Sequence, residues 1–172
     1  PGLAWDKVTD ENKRAYKAKL QQAVYAAWPN TFKSALNKKN PTWHLNSRSD
    51  YYIYFYFLCL RLVNAAGSFC FITSNSWLDV GYGRDLQGFL LKHAHIKLII
   101  DNQVKRSFAA ADVNTIIVLL SAGEDRPANP EGISSNGVRF ILFKVGFENG
   151  LDAVLWDEIE ECGELKSTPE YR

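Results

Sequence analysis

The chain has 172 residues, of which 47% are hydrophobic and 13% aromatic, and its formal net charge is +1. A chain of this length is typical of one domain and buries roughly 70% of its unfolded surface, which is enough for a core. The composition excludes a disordered or low-complexity protein. The small net charge excludes a general electrostatic attraction to nucleic acid or acidic membranes.

The cysteines and the apolar runs bear on the cellular setting. Cys59, Cys70 and Cys162 are odd in number and widely spaced, so neither a disulfide framework nor a zinc site is predicted. The most apolar run, Tyr51 to Val63, is too short to cross a bilayer, and Arg61 interrupts it. No signal peptide precedes this run. We expect a soluble, cytoplasmic protein with no membrane partner and no metal.

Two helices are predicted in the first third of the chain. Asp10 can cap a helix that runs to about Trp28, where Pro29 stops it. Residues 37–49 are polar and typical of a loop. A second helix from Asp50 to about Ala65 is apolar on almost every side and is expected to be buried. One side of the first, weakly amphipathic helix carries Ala15, Ala18 or Lys19, Gln22 and Ala26.

Three strands and a helix follow. Ser68 to Thr73 is rich in Phe and Ile, which predicts an inner strand covered on both faces. Arg84 to His93 has helical spacing and Ile96 to Ile100 is a second apolar strand, so a right-handed parallel crossover is implied. Val113 to Leu120 follows too closely for an intervening helix, which predicts a mixed sheet.

The last part adds a strand and a helix. After a loop rich in Gly, Pro, Ser and Asn, Val138 to Val145 predicts a fourth strand and Leu151 to Cys162 a closing helix. The expected fold class is α/β, one mixed sheet with helices on both faces. We divide the single domain of residues 1–172 into a helical and loop segment (1–49), the sheet (50–146), and the closing helix and tail (147–172).

Five segments in series resemble a known enzyme family. They are Ser49 to Phe55, Gly67 to Leu78, Gly83 to Leu91, Ile96 to Asp101, and Ser107 to Val118. In order and spacing they look like the adenine-N6 DNA methyltransferase region of type IIG restriction–modification enzymes. The resemblance covers Asp50 to Ser121 well, residues 1–49 loosely, and the tail hardly at all.

The resemblance implies a fold and an activity. The fold would be the C-terminal half of a Rossmann-like methyltransferase sheet. The activity would be methyl transfer from S-adenosylmethionine to adenine N6 in a specific sequence of double-stranded DNA, with base flipping. In the family, an Asn-Pro-Pro-Tyr motif directly precedes the region that residues 1–49 resemble. Neither that motif nor the Gly-rich cofactor loop is present, since Asn40-Pro41-Thr42-Trp43 lacks the second proline.

We therefore expect a piece of a longer enzyme. The piece would contribute no catalytic residue, would not bind S-adenosylmethionine alone, and would be inactive in isolation. The parent protein would use S-adenosylmethionine and bind double-stranded DNA.

The resemblance also implies a stacking residue and phosphate contacts. A base must leave the duplex to be methylated, and aromatic stacking can hold it outside. Phe108 corresponds to the family residue that stacks on the flipped adenine, and the alternative is a Phe that plugs the core. Lys105 and Arg106 precede it and can meet phosphates of the flipped strand, or they are solvated charges.

Five further residues are candidates for a pocket. Asp50 and Tyr54, one helical turn apart, resemble the family segment that borders the cofactor and base pocket; the alternative is an N-cap and a packed tyrosine. Thr73, Ser74 and Asn75 end the first strand, where open α/β sheets place ligand-binding loops. Their alternative is a polar turn at the end of a strand.

A second class of function also fits the sequence. The chain can be a non-catalytic α/β module that binds DNA or docks a subunit, recognisable by a dimer or DNA complex that forms without cofactor. If half of the sheet is missing, an exposed apolar edge and self-association of the fragment are expected.

Overall fold

The computed structural model describes residues 8–32, 45–102, 113–122, 138–146, 149, 155–157 and 168–172. Its helices are α1 (Asp10–Ala27), α2 (Tyr51–Leu62) and α3 (Gly83–His93). Its strands are β1 (Ser68–Ser74), β2 (Ala94–Asn102), β3 (Thr115–Ala122) and β4 (Arg139–Phe143), and a 3₁₀ helix (Asn75–Leu78) follows β1 directly. These bounds lie within a few residues of those expected from the sequence. Most of the predicted closing helix lies outside the described residues.

The four strands form one mixed sheet in the order β1-β3-β2-β4. β3 is antiparallel to both β1 and β2, and β4 is parallel to β2. Because β1 and β2 both run opposite to β3, they are parallel to each other, as the strand-helix-strand pattern predicts. The prediction of a mixed sheet is confirmed, and β3 lies between the two parallel strands.

One face of the sheet carries the larger core. α2 packs on β1 and β3, α3 packs on β2, and α1 packs on α2. Aromatic side chains fill the space between helices and strands, with Tyr56, Phe57 and Phe89 all fully buried. α2 is not buried all round as expected, because Phe55 and Leu62 on its outer side are 46% and 85% exposed. No helix within the described ranges is long and apolar enough to cross a membrane.

The side of α1 that packs against the core is not the side that carries the regularly spaced alanines. Ala15, Ala18, Lys19, Gln22 and Ala26 are exposed. The side that packs carries Leu20, Gln21, Val24, Tyr25 and Trp28. The indole Nε1 of Trp28 donates a hydrogen bond to the carbonyl of Phe57 (2.9 Å). Burial of large apolar side chains outweighs burial of alanine methyl groups, since the stabilisation scales with apolar area.

A smaller cluster covers part of the second face. Leu98, Ile100, Ile141, Phe143 and Leu155 are buried together. Leu155 belongs to a helical stretch at residues 155–157. The last residues cover the outer edge of β4: the amide of Leu142 donates to the carbonyl of Arg172 (2.7 Å), and Arg172 donates back to Leu142 (3.0 Å).

The opposite edge of the sheet is open in the described structure. β1 pairs with β3 alone among the described strands. Its outward residues Ser68, Cys70 and Ile72 are exposed, Ile72 to 42%. The prediction of an inner strand covered on both faces is therefore wrong for this chain. The apolar composition favours an inner position, but no described segment pairs with the free edge.

Candidate functional site

A cavity of about 560 Å³ lies at the carboxyl end of β1. Its walls come from the first turn of α2, from the turn that leads from β1 into the 3₁₀ helix, and from the residues that precede β3. The lining residues are Asp50, Tyr51, Tyr52, Ser74, Asn75, Ser76, Val113 and Asn114. The volume lies within the range of about 300–1,000 Å³ that is typical of small-molecule sites.

Strand pairing and helix packing bring these segments together. The register of β1 and β3 sets Ser74 opposite Thr115, and the amide of Asn75 donates to the carbonyl of Asn114 (3.0 Å). The buried hydroxyl groups of Tyr56 and Thr73 are hydrogen-bonded at 3.0 Å, which ties α2 to β1. This packing holds the first turn of α2 beside the end of β1.

The polar lining groups face the cavity with hydrogen-bonding capacity to spare. Asp50 is the N-cap residue of α2 and is exposed, but its side chain makes no capping hydrogen bond. The side chains of Asn75 and Asn114 make no hydrogen bond to a described residue. A carboxylate accepts hydrogen bonds only, whereas a carboxamide both donates and accepts. These three side chains can therefore read the hydrogen-bonding edge of a ligand.

Ser74 has a structural role as well as a place in the wall. Its Oγ accepts a hydrogen bond from the amide of Ser76 (3.2 Å) and lies 2.8 Å from the Ser76 Oγ. It therefore caps the 3₁₀ helix and fixes the turn that presents Asn75. Local hydrogen bonds of this kind from a serine hydroxyl to the backbone two residues on are typical of turns.

Two tyrosines supply aromatic surface. Tyr51 and Tyr52 occupy the first turn of α2, and both line the cavity. The hydroxyl of Tyr52 is buried close to the side chains of Tyr82 and Ser74. Burial raises the pKa of Tyr52, so its phenol is neutral at physiological pH.

The structure brings together only some of the predicted site residues. Asp50, Ser74 and Asn75 line the cavity. Tyr54 is 1% exposed and belongs to the core, and Thr73 is turned towards Tyr56; neither lines the cavity. Phe108, Lys105 and Arg106 lie outside the described residues. The segment that carries them rejoins the described chain at Val113, in the cavity wall.

Sequence reasoning missed Tyr51, Tyr52, Ser76, Val113 and Asn114. A local signal was available for the two tyrosines, because they follow Asp50 directly in the first turn of the same predicted helix. No local signal exists for Asn114, since it reaches the cavity only through the pairing of β1 with β3.

The described part of the chain has the features of a recognition site. The lining residues include no glycine, histidine or cysteine. Within the described ranges no group of three or more His, Cys, Asp or Glu side chains could hold a metal ion. One carboxylate, two carboxamides and two aromatic rings suit a flat, polar molecule that is held by stacking and by hydrogen bonds along its edge.

Comparison with known proteins places the chain in a family. No curated protein matches it. The family model described as "Eco57I restriction-modification methylase" matches residues 16–108, which is more than half of the 172-residue chain. The matched region runs from within α1 through β2 and includes the cavity residues Asp50 to Ser76. The chain belongs to the Eco57I restriction-modification methylase family.

Proposed function

We propose that the chain is part of a site-specific DNA adenine-N6 methyltransferase of a cytoplasmic restriction–modification system, of the type IIG class. We propose further that the cavity holds the target adenine after it has left the duplex. Membership of the methylase family supports methyl transfer in such a system. The observation that supports adenine as the occupant is that Asp50, Asn75, Asn114 and two tyrosine rings line the same cavity.

Adenine matches this set of groups. Its exocyclic amino group donates hydrogen bonds, its ring nitrogens accept them, and its faces stack on aromatic rings. The Asp50 carboxylate suits the amino group, and a carboxamide can bond the neighbouring ring nitrogen and amino group together. The amino group is paired inside a duplex, so base flipping has to precede the chemistry. The chain's part is to bind and orient the base.

The methyl donor of this family's reaction is S-adenosylmethionine, which supplies the transferred methyl group. The described cavity does not fit that cofactor well, because no glycine in its lining lets the backbone approach a bound molecule closely. The sequence also contains neither a Gly-rich cofactor loop nor an Asn-Pro-Pro-Tyr motif. We therefore assign cofactor binding and the catalytic groups to the parent protein, and expect this chain alone to be inactive.

The open edge of β1 supports a partial Rossmann-like sheet. β1 has the apolar sequence of an inner strand, yet it lies at the edge with Cys70 and Ile72 exposed. A further strand beside it would satisfy its free backbone groups and give the strand the position that its composition favours. In the parent protein Phe108 would stack on the flipped base, with Lys105 and Arg106 near the phosphates.

A nucleoside titration tests the cavity without phosphate and without the missing segments. Adenosine, inosine and cytidine are titrated into the ¹⁵N-labelled chain, and amide shifts are followed by NMR. We expect adenosine to shift the amides of residues 50–52, 74–76 and 114. Inosine, which lacks the amino donor, should bind about tenfold more weakly, as expected for the loss of one charge-assisted hydrogen bond.

Variants sharpen this test. Asp50→Asn should abolish the preference for adenosine over inosine, because a carboxamide can pair with either edge. Asp157→Asn is the matched control, since Asp157 is an exposed carboxylate that does not line the cavity. Equal affinity of the unaltered chain for adenosine and inosine, or shifts far from the cavity, would remove the assignment of the base.

A non-catalytic docking or DNA-binding module is the second candidate, and the exposed edge of β1 favours it. An experiment on the complete parent protein distinguishes this module from the methyltransferase. Incorporation of radioactive methyl groups from S-adenosylmethionine into DNA supports the methyltransferase, whereas a stable complex without methylation supports the module.

A further inference from the structure

An exposed aromatic pair lies beside the cavity. Tyr16 on α1 is 48% exposed, and its ring centroid lies 5.9 Å from that of Tyr51 on α2. The two planes are tilted by 39°, so the pair forms a stepped aromatic surface. Tyr51 also lines the cavity, which makes this surface continuous with the proposed base site.

A positioned cation adjoins the aromatic pair. The Lys17 Nζ lies 5.2 Å from the ring centroid of Tyr51 and donates a hydrogen bond to the carbonyl of Ser47 (3.4 Å). These contacts hold the ammonium group over Tyr51, whose side chain lines the cavity. Arg48 follows Ser47 and is exposed, and its amide is bonded by the Asn46 side chain (2.9 Å). We name Tyr16, Lys17, Arg48 and Tyr51 the Tyr16 platform.

The nearby charges are separated by sign. The acidic residues of α1, Asp10 and Glu11, are both in its first turn, and Asp10 is 3.8 Å from the Lys13 ammonium. The remaining acid of this region, Asp50, belongs to the cavity. Negative charge therefore lies in the cavity wall, whereas Lys17 and the exposed Arg48 lie outside the cavity lining. This separation fits a nucleotide chain, in which neutral bases alternate with anionic phosphates.

We propose that the Tyr16 platform binds the DNA strand that flanks the nucleotide in the cavity. The Tyr16 ring stacks on a neighbouring base, while Lys17 and Arg48 contact phosphates. Stacking on an exposed tyrosine tolerates any base, and phosphate contacts carry no sequence information, so the platform adds affinity and orientation. The inference rests on the proposed function, because that function makes DNA the partner.

The test measures the affinity of the full chain for a fluorescent single-stranded oligonucleotide of mixed sequence, by anisotropy at several salt concentrations. Lys17→Gln should lower the slope of log K against log salt by about 0.7, the value for one phosphate contact on a single strand. Lys19→Gln is its control, because Lys19 is exposed on the same helix but points about 200° away from Lys17. It should leave the slope unchanged.

Removal of the ring should act differently from removal of the charge. Tyr16→Ala should weaken binding about tenfold at every salt concentration without changing the slope, as loss of one stacked base predicts. Phe140→Ala is the control, since Phe140 is a 64% exposed ring on β4, at the other edge of the sheet.

Lys17 also packs against Tyr51, so a structural effect has to be separated. Lys17→Arg keeps the charge and should restore the salt slope, and thermal unfolding checks that every variant is folded. No binding to the oligonucleotide, an equal slope change in Lys19→Gln, or full affinity in Tyr16→Ala would overturn the platform. The adenosine titration reports on the cavity alone, so a failure of the proposed function can be told apart from a failure of the platform.

Discussion

A buried carboxylate oxygen lies at the edge of the sheet where β1 and β2 end. Asp101 lies at the end of β2, and its Oδ1 has no hydrogen-bond partner among the described residues. Burial raises the pKa of Asp101 above the usual value of 3.8, and the charge of Asp79 adds to this increase. Its charged form is therefore disfavoured in the folded state. The resulting penalty is present above the raised pKa and disappears as the pH falls through it.

Asp101→Asn should consequently raise the free energy of unfolding at pH 7. The advantage over the unaltered chain should shrink as the pH falls through the raised pKa and vanish by about pH 3, where the unaltered carboxyl is mostly protonated in both states. Urea denaturation at a series of pH values measures the difference. Asp157→Asn, at an exposed carboxylate, should show no such trend. A loss of stability at pH 7 in Asp101→Asn would contradict the argument.

The hydroxyl pair of Tyr56 and Thr73 gives a second test at a single residue. Both side chains are buried, and burial raises the pKa of Tyr56 to about 12, so the phenol is neutral and can donate. Tyr56→Phe should cost about 1–3 kcal/mol, because it leaves the Thr73 hydroxyl unpaired. Combining it with Thr73→Val should cost less than the sum of the two single changes. Additive costs in this double-mutant cycle, measured by urea denaturation, would show that the hydroxyls do not interact.

The elements were predictable in kind because their signals are local. Apolar spacing at α3 and continuous apolar runs at β1 to β3 mark helix and strand within a few residues. Which side of an element packs was less predictable. α1 packs through the side that carries Leu20, Val24 and Trp28, because large apolar side chains bury more area against α2 than alanines do. The side that packs has no local signal, since α2 is distant from α1 in the sequence.

The start of α3 shows how closely two elements meet. A Cβ at Gly83 would lie 1.9 Å from the backbone oxygen of Trp77, whereas a Cβ at Gly81 would have no neighbour within 4 Å. Gly83 is therefore a packing residue that lets α3 approach the 3₁₀ helix. A side chain there forces the two backbones apart, and backbone cannot yield as a flexible side chain does.

Gly83→Ala should destabilise the chain by about 3 kcal/mol, the upper end of the usual cost of overpacking. Gly81→Ala, the matched control, should change the free energy of unfolding by less than about 1 kcal/mol. Urea denaturation of both variants gives the comparison. Similar stabilities for the two would mean that α3 and the 3₁₀ helix can separate without cost.

At the scale of the whole molecule, the two outer edges of the sheet differ. Residues 168–172 cover the outer edge of β4 through backbone hydrogen bonds. β1 has no described partner on its free side and carries no charged residue. Open apolar edge strands template pairing with another chain. The self-association that the sequence leads us to expect is therefore assigned to β1.

Ile72→Lys should reduce self-association of this chain, because a charge on an edge strand opposes pairing. Sedimentation velocity over a range of protein concentrations measures the effect. Leu91→Lys is the control, since Leu91 is 55% exposed on α3, away from β1. A chain that stays monomeric at all concentrations, or one that Leu91→Lys disrupts equally, would remove β1 from this role.

The sequence by itself determined the kinds of element, the parallel direction of β1 and β2, and three of the residues that line the cavity. Only the tertiary structure decided that β3 lies between these strands, that β1 is at the edge, and that Asn114 faces Asn75. The physical reason is range. Spacing and capping act over a few residues, whereas the pairing of β1 with β3 joins residues about 40 to 50 positions apart through backbone groups that are the same in every sequence.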